Sequence, residues 1–175
     1  MDARALEEVA TKAVTTEGLY RYCRGVDRMD RAVTLSLWHP GGTADYRPWY
    51  SGDAAGLVDW LWVAHATVVA HVHQVHNVLI ELDGSRAASE AYFTAVLRIE
   101  PSPGRLVDRI VRGRYLDLWS APAGVWAVDH RRVVQDVESV GDVRSTATSD
   151  GTARRGPDDP SYSLFDAARR PGVSG

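Results

Sequence analysis

Apolar residues recur every three to four positions from Ala3 to Tyr22, with Leu6, Val9, Ala13, Tyr20 and Cys23 near one stripe. Ala, Leu and Glu dominate the run, and the spacing predicts an amphipathic helix. In "RGVDRMDRAVTLSLW", Gly25 permits a break, and Asp27 or Asp30 can cap a second short helix ending near Leu37. "HPGGTADYRPWYSG" reads as loop by its Pro and Gly content. Helical spacing of Leu57, Leu61 and Ala64 marks a third helix over residues 53–65.

The period then changes. Residues 71–82 are β-rich and end at "DGS", a hairpin signal. Residues 86–100 alternate and end in "PSPG"; residues 105–119 form a third run, turned by "SAPAG"; residues 125–137 form a fourth. Helices first and four hairpin-linked strands afterwards predict an α+β fold with a curved antiparallel sheet, not a βαβ alternation. From residue 138 the chain turns to Ser, Gly, Asp and Arg. We therefore expect one α+β domain over 1–137 and a flexible C-terminal tail over 138–175, with the apolar island at 162–166 available to dock.

Composition adds exclusions. A chain of 175 residues, 45% hydrophobic and 25% charged, suits one globular core. The net charge of -3 offers nothing to nucleic acid or an acidic membrane surface. Cys23 is the sole cysteine, so no internal disulfide can form, and it reads as a small buried residue. Without an apolar leader or a run of about eighteen apolar residues, a cytoplasmic protein is expected.

Chemistry concentrates in "AHVHQVHNVLIEL", which holds His71, His73 and His76. Strand alternation puts His71, His73, Val75 and Asn77 on one face and His76 on the other, unless a bulge intervenes. Two histidines at i and i+2 need a third or fourth ligand to hold a metal. No Cys lies near, there is no HExxH, and His39, His65 and His130 follow no ligand pattern, so no metal is expected. Acid–base work fits better: imidazole exchanges protons near neutral pH, and a carboxylate on its far nitrogen would fix the tautomer. Asp27 is the candidate carboxylate, with helix capping as its ordinary alternative. Trp49 and Tyr50, in the early loop, are positioned to floor or gate an apolar pocket.

"YCRGVDRMD", "HVHQVHNVLIELDGSRAASEAYF" and "GRYLDLWSAPAGVWAVDHRRVVQD", in that order, resemble the SnoaL-like branch of the nuclear transport factor 2 superfamily over about residues 6–136. That branch includes scytalone dehydratase, bile acid 7α-dehydratase and hexachlorocyclohexane dehydrochlorinase. The resemblance implies a cone-shaped α+β barrel around a deep pocket, closed by the N-terminal helices. It implies His73 as base and Asp27 as its partner. It places Tyr22 and Arg131 where a substrate oxygen or a developing anion would be met, and Asn77 in the pattern that follows the histidine. His71 would line the pocket. The acidic residue that the bile acid enzyme has on the second long strand is missing between Glu90 and Glu100, where Tyr92 could substitute. The implied activity is a cofactor-independent lyase, a dehydratase acting on a polyketide- or steroid-like ring. The alternatives are an isomerase or polyketide cyclase using the same pair, a non-catalytic binding or assembly module, and, last, the β subunit of a ring-hydroxylating dioxygenase. A homo-oligomer, trimer before dimer, is expected through an outer sheet face carrying Arg86, Arg98 and Arg112.

Overall fold

A computed structural model describes residues 2–143 and 153–169. Helix α1 (Ala3–Arg28) is capped by Asp2, whose carboxylate accepts from Ala5 N–H, and ends on Met29 in the left-handed region. It is longer than the periodicity predicts, because Gly25 does not break it. An added Cβ at Gly25 would lie 2.6 Å from Thr34 Oγ1 and 2.7 Å from Thr34 N. Gly25 is therefore the point where α1 crosses α2 (Arg31–Leu35) at backbone distance, and Asp30, not Asp27, caps α2 by accepting from Val33 N–H. The stripe also differs. Leu6, Val9 and Tyr20 are exposed, while Thr11, Thr15, Leu19, Tyr22, Cys23 and Val26 are buried. The threonine hydroxyl at Thr15 bonds back to the Thr11 carbonyl, which lets a polar residue occupy the buried face.

The segment read as loop contains two strands, β1 (Trp38–Tyr46) and β2 (Tyr50–Asp53), joined through a cis Arg47–Pro48 bond. Helix α3 (Ala54–His65) follows, capped by Asp53. Then come β3 (Ala70–Asp83), β4 (Arg86–Ser102), β5 (Arg105–Ser120) and β6 (Ala127–Asp142). Among the described residues the sheet has six strands in the order β2-β1-β6-β5-β4-β3 and does not close. It is mixed, because β1 runs parallel to β6 while every other pairing is antiparallel. Helices α1 and α3 pack against the sheet, and the core joins them to β1 and to the middle of β4, β5 and β6. Gly113 sits under the Phe93 ring at a shift in the β5–β6 register, where any Cβ would collide with the Val134 carbonyl. The space it leaves lets Phe93 stack on Tyr115 with ring centroids 4.3 Å apart.

Strand β6 runs on past residue 137 to Asp142, and helix α4 (Pro160–Arg169) contains the island at 162–166. This C-terminal segment docks on the end of α1. Tyr162 OH donates to Asp30 Oδ2 at 2.7 Å, Arg24 lies over the Tyr162 ring at 4.3 Å, and Asp159 pairs with Arg28 at 3.2 Å. The expectation of flexibility at 144–152 and 170–175 lies outside the described residues.

The crossing at Gly25 gives a direct test. Gly25→Ala should destabilise the fold by about 1–3 kcal/mol, the usual cost of overpacking, measured as a lower urea midpoint.

Candidate active site

Asp27 lies in the last turn of α1 and His73 near the start of β3, and the fold brings them together. His73 Nδ1–H donates to Asp27 Oδ1 at 2.7 Å, and the His73 backbone N–H donates to both carboxylate oxygens at 3.1 and 3.0 Å. Because Asp27 can only accept, Nδ1 carries the proton and Nε2 is left as the basic nitrogen. His73 borders a cavity of about 290 Å³ on the concave side of the sheet. Its floor is Tyr22, Tyr46, Phe93 and Tyr115. Leu97, Ile99, Val111 and Val133 line one wall, Trp60, Leu61 and His65 of α3 the other, and Trp49, Thr67, Arg109 and Gln135 are among the other residues that border it. No carboxylate lines the cavity among the described residues. A proton for a leaving group would have to come from a phenol or an imidazole.

Tyr22 and Tyr46 hydroxyls are 2.9 Å apart. Burial raises the pKa of both, and of Tyr115, so all three remain neutral hydroxyl donors. Arg131 is behind them and fully buried. Its guanidinium makes two bonds to Asp117, at 2.7 and 2.8 Å, and lies 4.4 Å from the Tyr22 ring centroid and 4.2 Å from that of Tyr115. Burial opposes its charge, but the Asp117 carboxylate more than compensates and Arg131 stays protonated. Arg131 does not border the cavity; the rings of Tyr22 and Tyr115 lie between them.

The other sequence candidates scatter. His71 is buried and donates from Nε2 to the Asp27 carbonyl at 3.0 Å, so it supports the pair from behind and does not line the cavity. The β3–β4 register shifts between Val75 and Val78, which inverts the alternation and leaves Asn77 exposed. His76 faces out, 2.8 Å from Thr94 Oγ1. Tyr92 is on the outer face beneath Arg114, away from the cavity, because the inward residues of β4 are Phe93, Ala95, Leu97 and Ile99. Tyr50 donates to the Asp53 carbonyl and stays outside, whereas Trp49 borders the cavity. Sequence reasoning missed Tyr46 and His65 as cavity residues. Nothing local marks Tyr46, whose partner is 24 residues away, and the one signal for His65 is its place at the end of a helix that leads into the histidine strand.

His65, His71 and His73 pack ring against ring, with centroids 4.8 Å apart for His65–His71 and 6.0 Å for the other two pairs. Burial holds His65 down at about 3 and His71 down at about 4, from an ordinary 6.5. Among the described residues, no group of three or more His, Cys, Asp or Glu is arranged to hold a metal ion, and no helix is long and apolar enough to cross a membrane.

Two stability predictions follow from these burials. Arg131→Met strands the Asp117 charge and should cost about 3–5 kcal/mol; the double variant with Asp117→Leu should recover much of it, both read by urea unfolding. As pH falls below 6.5, the unfolded chain takes up protons on His65 and His71 that the folded chain refuses until about pH 3 and pH 4 respectively. Unfolding free energy should therefore fall between pH 6.5 and 4 by up to about 1.4 kcal/mol per pH unit for each histidine. Replacing both with Gln should flatten most of that slope.

No curated protein matches the chain in sequence. Solved structures share its fold. A candidate scytalone dehydratase from Novosphingobium aromaticivorans superposes with a TM-score of 0.66 at 16% identity, over 84% of this chain and 97% of that one. Hexachlorocyclohexane dehydrochlorinase LinA-type3 from Novosphingobium barchaimii gives 0.69 at 13% identity, over 83% and 98%. ActVI-ORFA from Streptomyces coelicolor gives 0.60 at 14% identity, over 73% and 98%. At these identities the likeness is one of fold. The family model of the SnoaL-like domain matches residues 7–132, the stretch that holds both Asp27 and His73, and the chain belongs to that family.

Proposed function

We propose that this protein is a cofactor-independent lyase, a dehydratase that removes water from a hydrophobic ring substrate of the polyketide type. The observation that carries the reading is the His73 imidazole, held through Nδ1 by Asp27 at 2.7 Å and bordering a largely apolar cavity. About 290 Å³ is at the low end of ligand pockets, roughly 300–1,000 Å³. That favours two or three fused rings over a four-ring steroid.

His73 Nε2 takes the proton from a carbon next to a carbonyl. Asp27 remains a carboxylate and stabilises the imidazolium that forms. The Tyr22 and Tyr46 hydroxyls are kept neutral by burial and share one hydrogen bond, so the one whose proton is not spent on the other donates to the oxygen on which charge develops or to the departing hydroxyl. Arg131, under the tyrosine rings, makes that region electropositive without touching substrate. The C–O bond then breaks, and the hydroxide leaves as water with a proton from the imidazolium or a phenol. An isomerase or cyclase would use the same first step and differ in the fate of the enolate. Exposed Leu79 and Leu118, in a groove on the outer sheet face, support self-association through that face.

The test is turnover of a panel of hydroxylated bicyclic and tricyclic ketones, followed by the absorbance of the conjugated product. His73→Ala and Asp27→Asn should each lower kcat by about 10²–10⁴, and Tyr22→Phe by a smaller factor. Unchanged turnover in His73→Ala would sink the reading.

A further inference from the structure

We propose that His65 is a second oxygen-binding residue of the pocket, beside the Tyr22–Tyr46 hydroxyls. It would hydrogen-bond a carbonyl or hydroxyl oxygen on the substrate carbon adjacent to the one His73 deprotonates. The inference rests on the lyase reading above and adds a requirement on the substrate: an oxygen function beside the acidic carbon, on the α3 side of the cavity.

Five of the six histidines have a ring hydrogen bond. His39 bonds the Ser120 carbonyl, His71 the Asp27 carbonyl, His73 the Asp27 carboxylate, His76 the Thr94 hydroxyl and His130 the Thr43 hydroxyl. Among the described residues, His65 alone has none, although it is only 7% exposed. A buried polar ring without a partner costs roughly 1–3 kcal/mol and calls for an explanation. Its Nδ1 is fully enclosed and unpartnered, so Nε2 is the nitrogen available to the cavity that the ring borders.

The geometry suits two-point contact with one substrate. The His65 and His73 ring centroids are 6.0 Å apart and the rings are inclined by 36°. In a ketone the oxygen and the α-carbon are about 2.4 Å apart, from ordinary C=O and C–C lengths. Two rings at this separation can reach both atoms of one substrate, each nitrogen at about 3 Å from its own. The ring is also held in place. The His71 edge packs against it, and Arg155 of the C-terminal segment donates to the His65 and Val68 carbonyls at the corner that carries it. Burial, with the neighbouring His71, His73 and Arg155, keeps the ring neutral at physiological pH. A neutral imidazole donates to an oxyanion without placing a second cation beside the imidazolium of His73.

Binding of 2-tetralone and of its hydrocarbon counterpart tetralin, read by quenching of Trp49 and Trp60 fluorescence, separates this proposal from the turnover test. The wild-type protein should bind the ketone at least tenfold tighter than the hydrocarbon. His65→Leu should lose about tenfold for the ketone and little for tetralin, His65→Gln should keep part of the preference, and His73→Ala should keep most of it. If His65→Leu does not fold, His65→Phe is judged by the same ratio. An unchanged ratio in the folded variant, or no ketone preference in the wild type, overturns the proposal and leaves the Asp27–His73 reading standing. Lost turnover in neither His73→Ala nor Asp27→Asn would remove that reading instead.

Discussion

A guanidinium without a single exposed atom sits at the centre of this molecule, and the arrangement around it depends on keeping it neutralised. Arg131 comes from β6, its carboxylate partner Asp117 from β5, and the rings that enclose it from α1, β1 and β5. An isolated charge at that depth would cost many kcal/mol. The two bonds to Asp117 and the faces of Tyr22, Tyr115 and Trp38 lower that cost. The Arg131 Nη1 still has no hydrogen-bond partner among the described residues. Such a residue is a poor choice if stability alone mattered, since apolar side chains of similar volume often serve as well. Arg131 lies beneath the phenols that floor the cavity, where the proposed reaction develops negative charge.

The cavity is asymmetric in consequence. One end has phenols backed by a buried cation. The other has imidazoles that burial keeps uncharged, with the single Asp27-bound ring between them and the apolar strands. In the proposed reaction α1 supplies both the Asp27 carboxylate and the Tyr22 phenol, β3 the base, and β1 and β5 the remaining phenols. The C-terminal segment adds a constraint from outside. Arg155 ties down the α3–β3 corner, so a wall of the cavity is fixed by one residue, 90 positions from His65 and 87 from Val68 in sequence.

How much of this could be read from sequence depended on the range of the interactions. Helix α3 and strands β3 to β6 follow from local periodicity and turn residues. Strand β1 did not, because its Pro and Gly content mimics a loop and its parallel pairing, Trp38 with Val128 and Thr43 with His130, spans some ninety residues. The stripe on α1 was misjudged where Thr11 and Thr15, not Leu6 and Val9, face inward; the threonines satisfy their own hydroxyls on the helix backbone, which no hydropathy pattern reveals. Asn77 was lost to a single bulge. The meeting of Asp27 and His73 was anticipated through family resemblance, since spacing alone left Asp27 as a helix cap. Tyr46 and the unpartnered ring of His65 needed coordinates.

Strand β3 is an outer strand of an open sheet, so one side of its backbone has no neighbouring strand. At His73 the donor on that side is taken by the Asp27 carboxylate, which accepts the main-chain N–H as well as the imidazole. The residue that orients the ring therefore also seals the sheet border where another chain's strand would otherwise add. Any change that removes this carboxylate reopens a main-chain donor at the border, which ties solubility to the same side chain as chemistry.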